Sequence, residues 1–289
     1  MTDLERATAD SLAGWQQVAG GWARRRGYVW DASREVGELL VDALDPQPGE
    51  TILELAAGPG DTGFLAAARI GDSGRLLSTD FSPEMVAAAN ARADELGLTN
   101  VEHRVIDAQA IDLPDASVDC ALCRWGYMLM PDPLRALEET RRVLRPGGRL
   151  AFSVWADAAS NPWASTVGRT VVELGYVDPP APDSPGPFRL GDLERVRSLV
   201  EEAGLESPSV TDVPVRWRNA DFEEFWTIVG DVSFTLRTML ATLGQDEISV
   251  LRDHVAQKLL EFADEDGALT VPGLTRNVLT RAPHGLPGG

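Results

Sequence analysis

Glu54, Gly58, Gly60, Asp80 and Asp107 are the residues whose types and spacing could do chemistry here. Thr51 to Gly63 reads TILELAAGPGDTG, an apolar run that ends on Glu54-Leu55 and breaks into a turn holding Gly58, Gly60 and Gly63. Glycine lacks the Cβ that keeps a ligand off the backbone, and the free N–H groups of a helix start face whatever sits there. Those three glycines have the GxGxxG spacing of dinucleotide turns. Asp80 follows about twenty residues on, where a carboxylate accepts hydrogen bonds from ribose hydroxyls. A nucleotide-like cofactor is the first expectation; the glycines alone would also fit an NAD(P)-dependent oxidoreductase, and less well a tight turn with no ligand. Glu54 separates these options, because a carboxylate just before the turn repels a pyrophosphate and attracts a cation. Asp107-Ala108 places a second acidic position at the end of a later strand.

Alternation and turn residues define the elements that must carry these groups. Strands are expected at Thr51–Leu55, Arg75–Asp80, Val101–Asp107, Val118–Cys123 and Arg149–Val154, with helices at Asp61–Ile70, Pro83–Leu96 and Pro133–Leu144. Pro83 and Pro133 suit first-turn helix positions. Strand–helix alternation at this spacing implies a parallel sheet with helices on both faces. Residues 1–45 read as helical, with a separate piece at Ala32–Leu44 before the turn Asp45-Pro46-Gln47-Pro48-Gly49. Beyond Trp155 the rhythm changes to a helix over 161–175, a Pro/Gly-rich loop over 178–191 and a helix over 192–203. A strand at Val210–Trp217, helices over 221–265 and a last strand in Leu269–Thr280 complete the chain, and the tail APHGLPGG is expected to fray.

The chain of 289 residues is 44% hydrophobic and carries a net charge of −19. So acidic a surface repels phosphate backbones, so no nucleic-acid partner is expected. No apolar run reaches membrane-span length, and the acidic start MTDLERATAD is unlike a secretion signal, so the expectation is a cytoplasmic protein with no membrane span. Cys120 and Cys123 form a CxxC pair in the strand-like context VDCALCRW. Strand positions three apart point to opposite faces, which predicts neither zinc nor a disulfide there. His103, His254 and His284 are scattered, and no metal is expected.

The pieces ILELAAGPG, STDFSPEM, VIDAQAIDLPDASVD and RRVLRPGGRLAFSVW, in this order, resemble the class I S-adenosylmethionine-dependent methyltransferases. The likeness covers about residues 50–155 and is nearest the small-molecule branch that includes the ubiquinone/menaquinone-biosynthesis C-methyltransferases. It implies a Rossmann-like, doubly wound, seven-stranded and mostly parallel α/β sheet, its last strand antiparallel, with a helical lid. The divisions implied are a lid segment over 1–45, a cofactor-binding core over 46–155, and a part over 156–289 that completes the sheet and inserts lid helices. The cofactor implied is S-adenosylmethionine. Glu54, Gly58 and Gly60 would shape its methionine side, and Ala56 stands where the family usually has its first glycine. Asp80 would take the ribose hydroxyls. Phe81 and Met85 would pack on adenine, and Asp107 with the backbone of Ala108 would meet the adenine amino group. Arg124 and Trp125 would line the amino-acid end and the acceptor entrance.

The sequence also departs from the quinone enzymes. Their Arg-Asn pair after the fourth strand is replaced by Met128 and Leu129, which suggests a greasier acceptor pocket or simple core packing. Asp178-Pro179-Pro180 resembles the motif of amino-methylating nucleic-acid enzymes but lacks its aromatic and sits far downstream. Trp15, Trp22, Tyr28 and Trp30 could close over a ligand or merely anchor helix packing. The bulk of Phe222, Phe225, Trp226, Phe234 and Met239 suggests an acceptor wall. His103, His254 and acidic lid residues are the candidate bases, and none is singled out. The expected activity is methyl transfer to a small apolar or aromatic acceptor, with homodimerisation left open. The alternatives are a nicotinamide-dependent oxidoreductase and a non-catalytic S-adenosylmethionine-binding protein.

Overall fold

A computed structural model describes residues 3–181 and 183–284, so the last five residues of the tail lie outside the described residues. Seven strands make one sheet: β1 (Thr51–Glu54), β2 (Arg75–Asp80), β3 (Val101–Val105), β4 (Val118–Arg124), β5 (Leu144–Trp155), β6 (Ser209–Asn219) and β7 (Leu269–Arg281). Their spatial order is β3-β2-β1-β4-β5-β7-β6. The first five run parallel, and β7 lies antiparallel between β5 and β6. The order reverses between β1 and β4, which is where open α/β sheets leave a crevice at the carboxyl edge.

The crossovers are α2 (Asp61–Ile70), α3 (Pro83–Leu96) and α4 (Pro133–Val143). Local chemistry sets their ends. The Ser82 hydroxyl accepts the Met85 N–H, Asp132 accepts the Arg135 N–H, and each cap is followed by proline. Gly97 ends α3 at φ 67°. One face of the sheet packs Leu40, Phe64, Ile70 and Ala89, with Cys120 among them. The other face packs Leu53, Phe152, Leu137 and Val200, with Cys123 among them. The two thiols therefore lie on opposite faces, both buried and free, as strand geometry requires.

Strand β3 stops at Val105, so Asp107 sits in the loop after it rather than at the strand end, and two elements differ further from their sequence patterns. Residues 3–44 form one helix, α1 (Asp3–Leu44), rather than two pieces. Its internal glycines cost roughly 1 kcal/mol each in helix propensity, and tertiary packing offsets that. A Cβ at Gly21 would run into the Asp231 carbonyl of α7 (Phe222–Val232), so glycine permits the close crossing. Arg25 Nε bonds Asp231 at 2.8 Å and Trp22 Nε1 bonds the Val232 carbonyl at 2.9 Å. Strand β5 starts five residues earlier than its apolar pattern, at Leu144. Val118 pairs with Leu144 while Cys120 pairs with Arg149, so the Arg-Pro-Gly-Gly stretch bulges out of register.

The rest of the chain places α5 (Pro162–Glu173) and α6 (Leu193–Glu202) after β5. Between β6 and β7 come α7, α8 (Phe234–Leu240) and α9 (Gln245–Leu259). Among the described residues no helix is long and apolar enough to cross a membrane.

Candidate active site

A cavity of about 250 Å³ opens along the carboxyl edge of the sheet, under α1 and α7. Its floor begins at the loop after β1. Leu55 N–H bonds the Leu122 carbonyl and Ala57 N–H bonds the Thr79 carbonyl, which hold the loop between β4 and β2. Ala56, Gly58 and Gly60 take φ values of 50°, 54° and 87°. Ala56, Ala57, Gly58 and Pro59 line the cavity. A Cβ at Gly58 would meet no protein atom within 4 Å, so bare backbone there faces open space. Gly60 does not line the cavity, and a Cβ on it would strike the Phe64 ring.

Alanine in the left-handed region costs roughly 1–2 kcal/mol relative to glycine. Ala56→Gly is therefore expected to raise the urea midpoint of unfolding by the equivalent of about 0.5–1 kcal/mol, after glycine's extra unfolded-state entropy is subtracted. An unchanged or lower midpoint would show that the loop carries no such strain.

Glu54 is 2% exposed and lies behind the loop rather than on the cavity wall. One carboxylate oxygen accepts the Gly63 N–H at 2.7 Å and the other accepts the Ser78 hydroxyl at 3.1 Å. Gly60, the cap residue of α2, gives no side-chain cap, so Glu54 satisfies an N–H of the first turn from the end of β1. A Cβ on Gly63 would occupy the space of that carboxylate, which explains the third glycine. Burial pushes the Glu54 carboxyl up to about 8, against the pull of Ser78, Gly63 and the Arg124 charge.

Asp80 closes β2 and does face the cavity. Its Oδ2 accepts the Gly58 N–H at 3.0 Å and its Oδ1 accepts the Ser82 N–H at 2.9 Å. Burial pushes it up to about 6. Phe81 and Met85 line the cavity beside it, and Asp107, Ala108 and Gln109 line its far end. Gln109 donates its backbone N–H to Asp107 Oδ1 at 2.9 Å.

Arg124 ends β4, and its Nε donates to the Thr62 hydroxyl at 2.8 Å. Its guanidinium lies 4.5 Å from the Trp125 ring centroid, a cation–π distance. Nη1 has no hydrogen-bond partner, and burial lowers the pKa. Trp125 sits at φ 60°, which turns the chain sharply after the strand. Its indole stacks on Trp155 at 4.1 Å and donates to the Thr275 hydroxyl at 2.8 Å.

Beyond Trp125 the wall is apolar and aromatic. Met128 and Leu129 line it, and so do Trp15, Trp22 and Tyr28 of α1 and Phe225 and Phe234 of the later helices. Phe222, Trp226 and Met239 do not. Trp226 packs on Phe222, and Arg252 lies over its ring. Trp30 borders a small recess beside Asp61 and Arg124 instead. Trp155, Trp163 and Trp217 complete the wall and were given no role from sequence. The alternation Val213, Val215, Trp217 into one buried face of β6 was the signal that could have found the last of them. The candidate bases are elsewhere. His103 lies on β3 against Phe64, and His254 is exposed on α9, bonded to the Val250 carbonyl of its own helix.

A glycine-loop backbone, an aspartate at the end of β2 and another after β3 define a Rossmann-like fold with a nucleoside-cofactor crevice. Residues 52–148 match the methyltransferase domain family. The chain is 30% identical over 228 residues to the nocamycin O-methyltransferase of Saccharothrix syringae, covering 70% of this chain and 81% of that one. It is 46% identical over 150 residues to an uncharacterised 37.1 kDa protein in transposon Tn4556 of Streptomyces fradiae, covering 52% of this chain but 40% of that one. The YcgJ protein of Bacillus subtilis shares the fold with a TM-score of 0.58 at 17% identity, over 87% of this chain and 100% of that one. The matches to an arsenite methyltransferase of Halobacterium salinarum and to the aklanonic acid methyltransferase of a Streptomyces span 27% and 54% of those proteins.

This chain belongs to the S-adenosylmethionine-dependent methyltransferases, and its cofactor is S-adenosylmethionine. That assignment sets the nicotinamide alternative aside. The open space at Gly58, the carboxylates of Asp80 and Asp107, and the free Nη1 of Arg124 suit a nucleoside that also bears an amino-acid end.

Proposed function

We propose that this protein transfers a methyl group from S-adenosylmethionine to a small planar acceptor with apolar or aromatic character. One observation carries the reading: the cavity is acidic and bare-backboned at β1–β3 and tryptophan-walled at β4–β6. The first half suits the cofactor and the second suits the acceptor. Asp80 would hold the ribose hydroxyls, Phe81 and Met85 would pack on the adenine, and Asp107 with the backbone of Ala108 would meet its amino group. Gly58 and Ala56 would bound the methionine side, with Glu54 and Gly60 setting the loop from behind. Arg124 and Trp125 would stand between cofactor and acceptor.

The cofactor supplies an electrophilic methyl group on a cationic sulfur. The chain's own part is to hold both partners in line and exclude water, effects worth roughly 7–11 kcal/mol when orientation is complete. We propose that α1 and the helices after β5 act as the lid over a core of residues 46–155. The pins from Arg25 and Trp22 to α7 support that division.

Calorimetric titration with S-adenosylhomocysteine, paired with labelled-methyl incorporation into planar acceptors, tests the reading. Phe225→Ala is expected to raise the acceptor KM about tenfold, the loss of a buried aromatic contact, while S-adenosylhomocysteine affinity stays the same. A tenfold loss of S-adenosylhomocysteine affinity with unchanged acceptor KM would mean the two halves are assigned the wrong way round.

A further inference from the structure

Four indoles converge on the carboxyl edge from distant parts of the chain. Trp125 follows β4, Trp155 ends β5, Trp163 opens α5 and Trp217 lies near the end of β6. Their centroids are 4.1 Å apart for Trp125–Trp155, 4.9 Å for Trp155–Trp163 and 4.7 Å for Trp163–Trp217. Rings this close touch one another and leave no slot for a methylammonium group between two faces. They form a continuous wall, which takes a flat ring by stacking, rather than a cage for a cation.

That end of the cavity also holds no proton acceptor. Among the described residues, the titratable groups lining the cavity are Asp80, Asp107, Arg124 and Tyr28. Asp80 stands three strand positions from Trp155, roughly 14 Å at the usual inter-strand spacing. Asp107 follows β3, one strand further away. Tyr28 donates its hydroxyl proton to Asn219 Oδ1 at 3.0 Å, and burial holds it protonated. Arg124 is a cation, and no histidine lines the cavity.

We propose that the acceptor is a planar acid, either a carboxylic acid or an acidic enol, that stacks on the tryptophan wall and reacts as the anion it already is in solution. This rests on the methyl-transfer reading above and names its substrate class. The acceptor's proton goes to bulk water before binding. Its oxygen anion then forms the new O–CH3 bond as the S–CH3 bond breaks, and the sulfur keeps that electron pair. An anion and a sulfonium cation both lose their charge in this step, so dry, apolar walls that strengthen their attraction favour it. A neutral amine would only relocate the charge and gain nothing from such walls.

The test uses the full chain with 2-naphthoic acid and 4-hydroxycoumarin as acids and 2-naphthol as the weakly acidic control. Quenching of tryptophan fluorescence in the S-adenosylhomocysteine-loaded protein reads binding. Labelled-methyl transfer between pH 6.5 and 8.5 reads reactivity. Both acids are expected to quench and to be methylated with a flat pH profile. Transfer to 2-naphthol should rise about tenfold per pH unit, because only the naphtholate reacts. A flat profile for 2-naphthol at the rate of the acids would reveal a protein base and overturn the proposal. Absence of quenching by both acids in the loaded protein would overturn it too. Failure to bind S-adenosylhomocysteine by calorimetry is a separate result, and it brings down the methyl-transfer reading first.

Discussion

Asp80→Ala is expected to weaken S-adenosylhomocysteine binding by about 1–3 kcal/mol, roughly 5- to 150-fold, the cost of losing a charged hydrogen-bond acceptor. The Asp80 carboxylate holds the Gly58 and Ser82 N–H groups and still borders the cavity, so the loss falls on loop and ligand together. Its burial adds a pH signature. The carboxyl titrates near 6, so the free protein carries the neutral form below that. A ribose donates to the ionised form. Affinity should therefore be flat above pH 7 and fall up to tenfold per unit below pH 6. Calorimetry from pH 5 to 8 reads both effects, and the alanine variant should lack the inflection. Wild-type affinity in that variant would mean the ribose lies elsewhere.

Glu54→Gln should make the protein more stable at alkaline pH. The Glu54 carboxyl titrates near 8 in the folded chain and near 4.5 in a solvated one. The folded state therefore keeps a proton that the unfolded state releases across that window. Stability from this group is intact at low pH and is lost as pH rises from about 4.5 to 8, by about 1.4 kcal/mol for each unit of the shift. Glutamine can still accept the Gly63 N–H and donate to the Ser78 hydroxyl, but it does not ionise. Urea unfolding should give matching stabilities near pH 4 and a gap of a few kcal/mol in favour of the variant by pH 8.5. A gap that stays constant with pH would show that Glu54 ionises freely inside the fold.

The same carboxylate shows how far residue types carry. Its position before the glycine turn is plain in the sequence, but the charge preference read from it does not hold, because the carboxyl is buried behind the loop and keeps its proton near neutral pH. Its direction is not plain there, because a side chain at a strand end can turn to the crevice or to the neighbouring strand. The Gly63 N–H and the Ser78 hydroxyl decide, and Ser78 belongs to another strand. Gly60 behaves likewise: its spacing reads as ligand contact, but its bare Cα makes room for Phe64. Phe225 and Trp226 are neighbouring aromatic residues on α7, and successive helix positions point about 100° apart, so only one reaches the cavity.

Local pattern by itself determined the strand–helix rhythm, the glycine turn, the acid at the end of β2, the proline-led starts of α3 and α4, and hence the family. Those features are written within a few residues of one another, because caps, turns and alternation are short-range sterics and hydrogen bonding. Only the tertiary structure decided that α1 is continuous and clamps α7, a contact between residues 210 apart in the chain. It alone brought Trp125, Trp155, Trp163 and Trp217 into one wall and, among the described residues, left that wall without a base. Contacts between residues so far apart leave no periodicity to read. They arise when a strand inserted between β5 and β6 draws separate segments to one edge and apolar burial presses them together.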